Sequence, residues 1–92
     1  MTDISLEVGR VVLAKAGRDK GKAFVVVGLL NEEYVLLADG RSRTIDKPKK
    51  KKIKHLDPKP QKAEEIVKMI ESGTKVLDAD IRKSLKSLGY ER

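Results

Sequence analysis

The sequence predicts a mainly β protein: a small five-stranded barrel in residues 1–57, followed by an amphipathic two-helix tail in residues 58–92. Three observations predict it. Short β-branched and apolar runs recur through the first half, each bounded by a turn containing Gly, Asn or Asp. Helical periodicity begins only after Pro58 and Pro60. At 92 residues the chain has room for one domain, or one small domain with an appendage.

The elements follow in order. Gly9 opens the run GRVVLAKAG, a strand that Gly17 closes. Arg18, Asp19 and Lys20 then lead to Gly21, a short polar turn between glycines. Lys22 to Leu30 is the second strand, because three consecutive valines disfavour a helix and suit a pleated surface. Gly28 within it predicts a bulge where the barrel bends. After Asn31, Glu32 and Glu33, the run YVLLA is the third strand. Asp39-Gly40 is a hairpin signal leading to an exposed fourth strand, Arg41 to Ile45. Pro48 interrupts any ladder, and Ile53 to Leu56 is a short fifth strand that closes the sheet. Closure removes most of the edge that a two- or three-stranded sheet would leave open.

Asp57, Pro58 and Pro60 break the chain and seed the tail. Ala63, Ile66, Val67 and Ile70 then share one helical face, with Glu64 and Glu65 in the first turn, and Ser72-Gly73 stops the helix. In the second helix Asp78 is the N-cap, Ile81, Leu85 and Leu88 form the apolar stripe, and Gly89 follows the end. Helices this short need something to pack on: the barrel, each other or a protein partner. The barrel offers a surface, since runs such as VVV and VLL place apolar side chains on both sheet faces.

The composition excludes several functions. The chain lacks cysteine and has a single histidine, so a Cys-ligated zinc site, a two-His metal site and a His-based proton relay are all beyond it. No cofactor is expected. Asp19, Asp39 and Asp46 fall in or beside turns without the partners that acid–base catalysis needs, and GRDKG is too short for a phosphate-binding loop. An enzyme is not expected. The longest apolar runs fall far short of a membrane span, and residues 1–20 do not read as a secretory signal, so the expected location is the cytoplasm and no membrane is expected as a partner.

The net charge of +7 is concentrated in one segment. Residues 41–62 hold 10 basic and 2 acidic side chains, whereas the segments before and after are close to balanced. Within the basic segment, 41–56, lie Arg41, Arg43, Lys47, the run Lys49, Lys50, Lys51 and Lys52, and then Lys54. Such a cluster repels itself, and a polyanion is its natural counterpart because every phosphate neutralised releases condensed counterions.

The segment from Val8 to Val27, VGRVVLAKAGRDKGKAFVVV, resembles the KOW motif of several ribosomal proteins and transcription elongation factors. The likeness rests on Gly9 and the valines after it, Gly17, the polar turn, the central glycine at Gly21 and the valines of the next strand. With the following stretch it extends from residue 6 to about 56. The chain looks like the small bacterial KOW proteins that are similar to a KOW-bearing large-subunit ribosomal protein of archaea and eukaryotes. The resemblance implies an SH3-like barrel that binds RNA, usually ribosomal RNA.

The residues agree with that implication. Gly17 and Gly21 let the backbone of the first turn approach a phosphate, flanked by Arg18, Lys20 and Lys22. Arg41 and Arg43, two apart on a strand, point to one face, where guanidinium groups can fork onto phosphates. Phe24 and Tyr34 sit in apolar contexts and read as core. With Tyr90 they are the only aromatic residues, so structured RNA is a better fit than a run of splayed bases. The expected RNA-binding set is therefore Arg18, Lys20, Gly21, Lys22, Arg41, Arg43, Lys47, Lys49 to Lys52 and Lys54. The alternative is a protein-interaction or transcription-linked KOW module, whose barrel or C-terminal helices bind a protein.

Overall fold

Consecutive valines in a strand must face opposite ways, so two separate layers have to receive them. The computed structural model, which describes residues 6–90, has both layers. Arg10–Ala14 (β1), Ala23–Leu29 (β2) and Tyr34–Ala38 (β3) are antiparallel neighbours. Lys49–Lys52 (β4) pairs with β3, and Leu56–Lys62 (β5) pairs with β1, giving the order β4-β3-β2-β1-β5. Two helices follow, Glu64–Glu71 (α1) and Asp78–Ser87 (α2). The chain is thus mainly β, five antiparallel strands in one sheet with two C-terminal helices.

The edge strands β4 and β5 are joined by a single 3-10 turn, Ile53–His55. A sheet whose edges are linked so tightly must curl. Inside the curl, Val12, Ala14, Phe24, Val26, Val35, Leu37 and Leu56 form one core. On the opposite face Val11, Val25 and Ala38 meet Ala63, Ile66, Val76, Ile81 and Leu85. The second core is where the helices pack, so the outward valines are covered from within the chain. The expected bulge is present as a register shift between Val26 and Gly28.

Several elements differ from the sequence expectation, each for a local reason. Residues 41–45 form no strand. The Asp39 carboxylate takes the backbone N–H groups of Arg41 and Arg43, both at 2.9 Å, and the Asp78 carboxylate takes that of Ile45 at 2.8 Å. Donors engaged by side chains are lost to a ladder. The fourth strand is the lysine run itself, which begins directly after Pro48. The fifth strand starts at Leu56, the last residue of the expected one, and runs on through Pro58 and Pro60. An edge strand tolerates proline because only one of its sides is paired. The Arg10 guanidinium also donates to the Pro60 carbonyl at 2.9 Å.

Smaller differences concern caps and burial. The α2 N-cap is Leu77, whose N–H donates to the Asp80 carboxylate at 2.9 Å, which leaves Asp78 for Ile45. Ile66 is buried in α1, but Ile70 is exposed and Met69 packs on the core in its place. Phe24 is buried, whereas Tyr34 lies half-buried outside the inner core.

Candidate nucleic-acid interface

The first turn is built by its backbone. Gly21 N–H donates to the Ala14 carbonyl and Lys22 N–H to that of Asp19, both at 2.8 Å. Gly21 adopts φ +85°, a left-handed conformation that side chains resist, and a Cβ added there would meet no atom within 4 Å. The site is open to an incoming ligand. Arg18 and Lys20 are exposed on this turn.

Asp19 organises the cations around it. It is only 9% exposed, and it accepts from the Lys49 ammonium at 2.9 Å, with Lys22 at 3.6 Å. The hydrogen bond from Lys49, reinforced by the charges of Lys49, Lys22 and Arg43, holds its carboxyl below the usual aspartate value against the opposing effect of burial. The first turn and the lysine strand, 30 residues apart in sequence, thus meet at one carboxylate.

Strand alternation divides the lysine run. Lys49 lies opposite Leu37 and Lys51 opposite Val35, on the inner face. Their stems reach across the open side to the first turn, Lys49 to Asp19 and Lys51 to the Ala16 carbonyl at 3.5 Å. Lys50 and Lys52 lie on the other face over the Tyr34 ring, at 4.5 Å and 5.9 Å from its centroid. Two lysines therefore tie the lysine strand to the first turn, while two stand over the Tyr34 ring. Of the remaining expected residues, Lys54 is exposed on the 3-10 turn and Lys47 is exposed after the Asp39 turn, its N–H donating to Thr44. Arg41 is exposed, and Arg43 is half-buried with its carbonyl accepting from the N–H groups of Asp39 and Gly40.

Two residues of the candidate site escape the sequence reading. Arg82 of α2 donates to the Gly40 carbonyl at 2.6 Å, and with Tyr90 it lines a cleft of about 310 Å³ that also includes Lys22 and Arg41. Gly40 permits this approach: a Cβ there would stand 2.5 Å from the Asp78 carbonyl oxygen. A glycine beside Asp39 was the available signal, but it reads as a hairpin until α2 is seen packed on it.

Among the described residues, no group of three or more His, Cys, Asp or Glu side chains is arranged to hold a metal ion. No described helix is long and apolar enough to cross a membrane.

No family model matches the chain. Individual relatives do. The chain is 32% identical over 95 residues to the large ribosomal subunit protein eL14 of Pyrobaculum arsenaticum, covering 95% of this chain and 92% of the relative. It is 26% identical to the protein of the same name in Staphylothermus marinus, over 92% of this chain and 81% of the relative. A third eL14, from Desulfurococcus amylolyticus, is 35% identical over 59% of this chain and 56% of its own length. These are large-subunit proteins themselves, not the small bacterial proteins that the sequence suggested. With 32% identity maintained across nearly the whole of its Pyrobaculum relative, the chain belongs to the eL14 family of large ribosomal subunit proteins.

Proposed function

We propose that this chain is a non-enzymatic component of the large ribosomal subunit that binds structured ribosomal RNA in the cytoplasm. The observation that carries the reading is the cationic cluster around Asp19, where Lys49 of the lysine strand meets Lys22 of the first turn on one carboxylate. The relatives, named for the large ribosomal subunit, support the cellular setting. In this reading residues 1–57 carry most of the RNA contacts and residues 58–92 brace the outer face of the sheet. Arg18 and Lys20 hold the RNA backbone at the open Gly21 turn. Arg41, Arg43 and Lys47 take neighbouring phosphates, Lys50 and Lys52 engage from the Tyr34 face, and Lys54 extends the footprint. Lys49 and Lys51 act chiefly by keeping the turn and the lysine strand in register, and Lys22, paired with Asp19 only at 3.6 Å, stays available to the RNA.

The test is equilibrium binding of purified ribosomal RNA over a range of salt concentrations. With about six phosphates neutralised, log K falls against log salt with a slope of roughly −4 to −5. A slope near zero overturns the electrostatic mechanism. Competition by duplex DNA as effective as that of structured RNA would favour the transcription-linked alternative.

A further inference from the structure

We propose that the cleft between the Asp39 turn and α2 receives one unstacked nucleotide of the bound RNA, its phosphate held by Lys22 and Arg82 and its base set against Leu85 and Tyr90. This rests on the RNA-binding reading above. At about 310 Å³ the cleft falls at the small end of ligand pockets, a size that suits a single nucleotide and not a helix. Its charge is cationic: Lys22, Arg41 and Arg82 line it with one carboxylate, Asp39. That carboxylate is engaged by its own turn, through the N–H groups of Arg41 and Arg43 and the Ser42 hydroxyl at 3.2 Å. Arg82 is anchored on the Gly40 carbonyl through one Nη, and its planar fork has further donors for a phosphate.

The apolar wall is equally prepared. The Tyr90 hydroxyl lies 2.6 Å from Gln61 Oε1, and its N–H donates to the Leu85 carbonyl at 2.8 Å. The hydroxyl contact with Gln61 fixes the ring and the backbone bond fixes its attachment, so little side-chain freedom remains to be lost on stacking. Cations beside a fixed aromatic ring match the two halves of a nucleotide, one anionic and one flat.

The experiment is ultraviolet crosslinking of the full-length chain to total ribosomal RNA, with adducts mapped by mass spectrometry and RNA retention measured by filter binding. The expected result is a nucleotide adduct on Tyr90. Arg82→Gln and Lys22→Gln should each reduce that adduct about tenfold while RNA retention falls only about threefold. Should Arg82→Gln lose its far-ultraviolet dichroism, Lys22→Gln decides, since its ion-pair partner, Asp19, lies outside α2. Retention with adducts confined to residues 18–20 and 49–54 overturns the nucleotide cleft and leaves the RNA reading standing. Absence of retention at low salt overturns the RNA reading, and the cleft with it.

Discussion

Asp19 is the one buried charged or polar residue among those described, and it sits amid the basic residues it would seem to oppose. Replacing it with Asn leaves Lys49 an uncharged amide acceptor in place of the carboxylate and removes a negative charge from the proposed RNA face. Asp19→Asn should therefore destabilise the fold by about 1–2 kcal/mol while tightening RNA binding a few-fold, two effects of opposite sign separable by thermal melts and filter binding. The same carboxylate sets an acid limit. Its folded pKa is depressed, so its contribution is complete above the unfolded value of about 3.9 and disappears as pH falls through the lower folded value. Melting temperature measured from neutral pH into acid should show this loss in the native chain and a shallower one in the Asn variant. Gly40 offers a second residue-scale check. Its φ of +79° and the nearby Asp78 carbonyl leave no place for a methyl group. Gly40→Ala should cost about 2–4 kcal/mol in a urea titration.

The helices and the sheet share one buried layer, in which Ile81 and Ile66 meet Val11 and Val25. Ile81→Ala should cost about 2–5 kcal/mol, and dichroism and tyrosine fluorescence should report one common transition in urea. Separate transitions would mean that the helices melt alone. Strands β1 to β3 were legible because their runs of valine and leucine suit nothing but a pleated sheet. Helices α1 and α2 were legible from periodicity and their Gly stops. The lysine strand was not, because nothing in four lysines favours extension. What extends them is the open edge of β3, together with Asp19 and Ala16, about 30 residues earlier, which take two of the ammonium groups. Residues 41–45 read as a strand only while the Asp39 and Asp78 side chains are ignored. Most basic residues of the proposed site could be picked out from charge alone. Arg82 and Tyr90, which line the proposed cleft, could not, because that cleft forms only when α2 docks against Gly40.

At the scale of the molecule, the lysines fall into two classes that charge counting merges. Lys50→Gln with Lys52→Gln should lower the salt slope of RNA binding by about 2 and leave stability nearly unchanged. Lys49→Gln should instead lower the melting temperature, because it strips Asp19 of its hydrogen-bond donor. A pair of titrations, one in salt and one in heat, distinguishes the classes. The edges of the sheet carry one more consequence. Beyond the turn that joins them, β4 presents a row of lysines and β5 carries Pro58 and Pro60. Either feature spoils an edge as a template for another strand. The two segments that least resembled strands in the sequence make the sheet edges poor templates for a second copy of the chain, so crowded molecules should resist knitting into fibres.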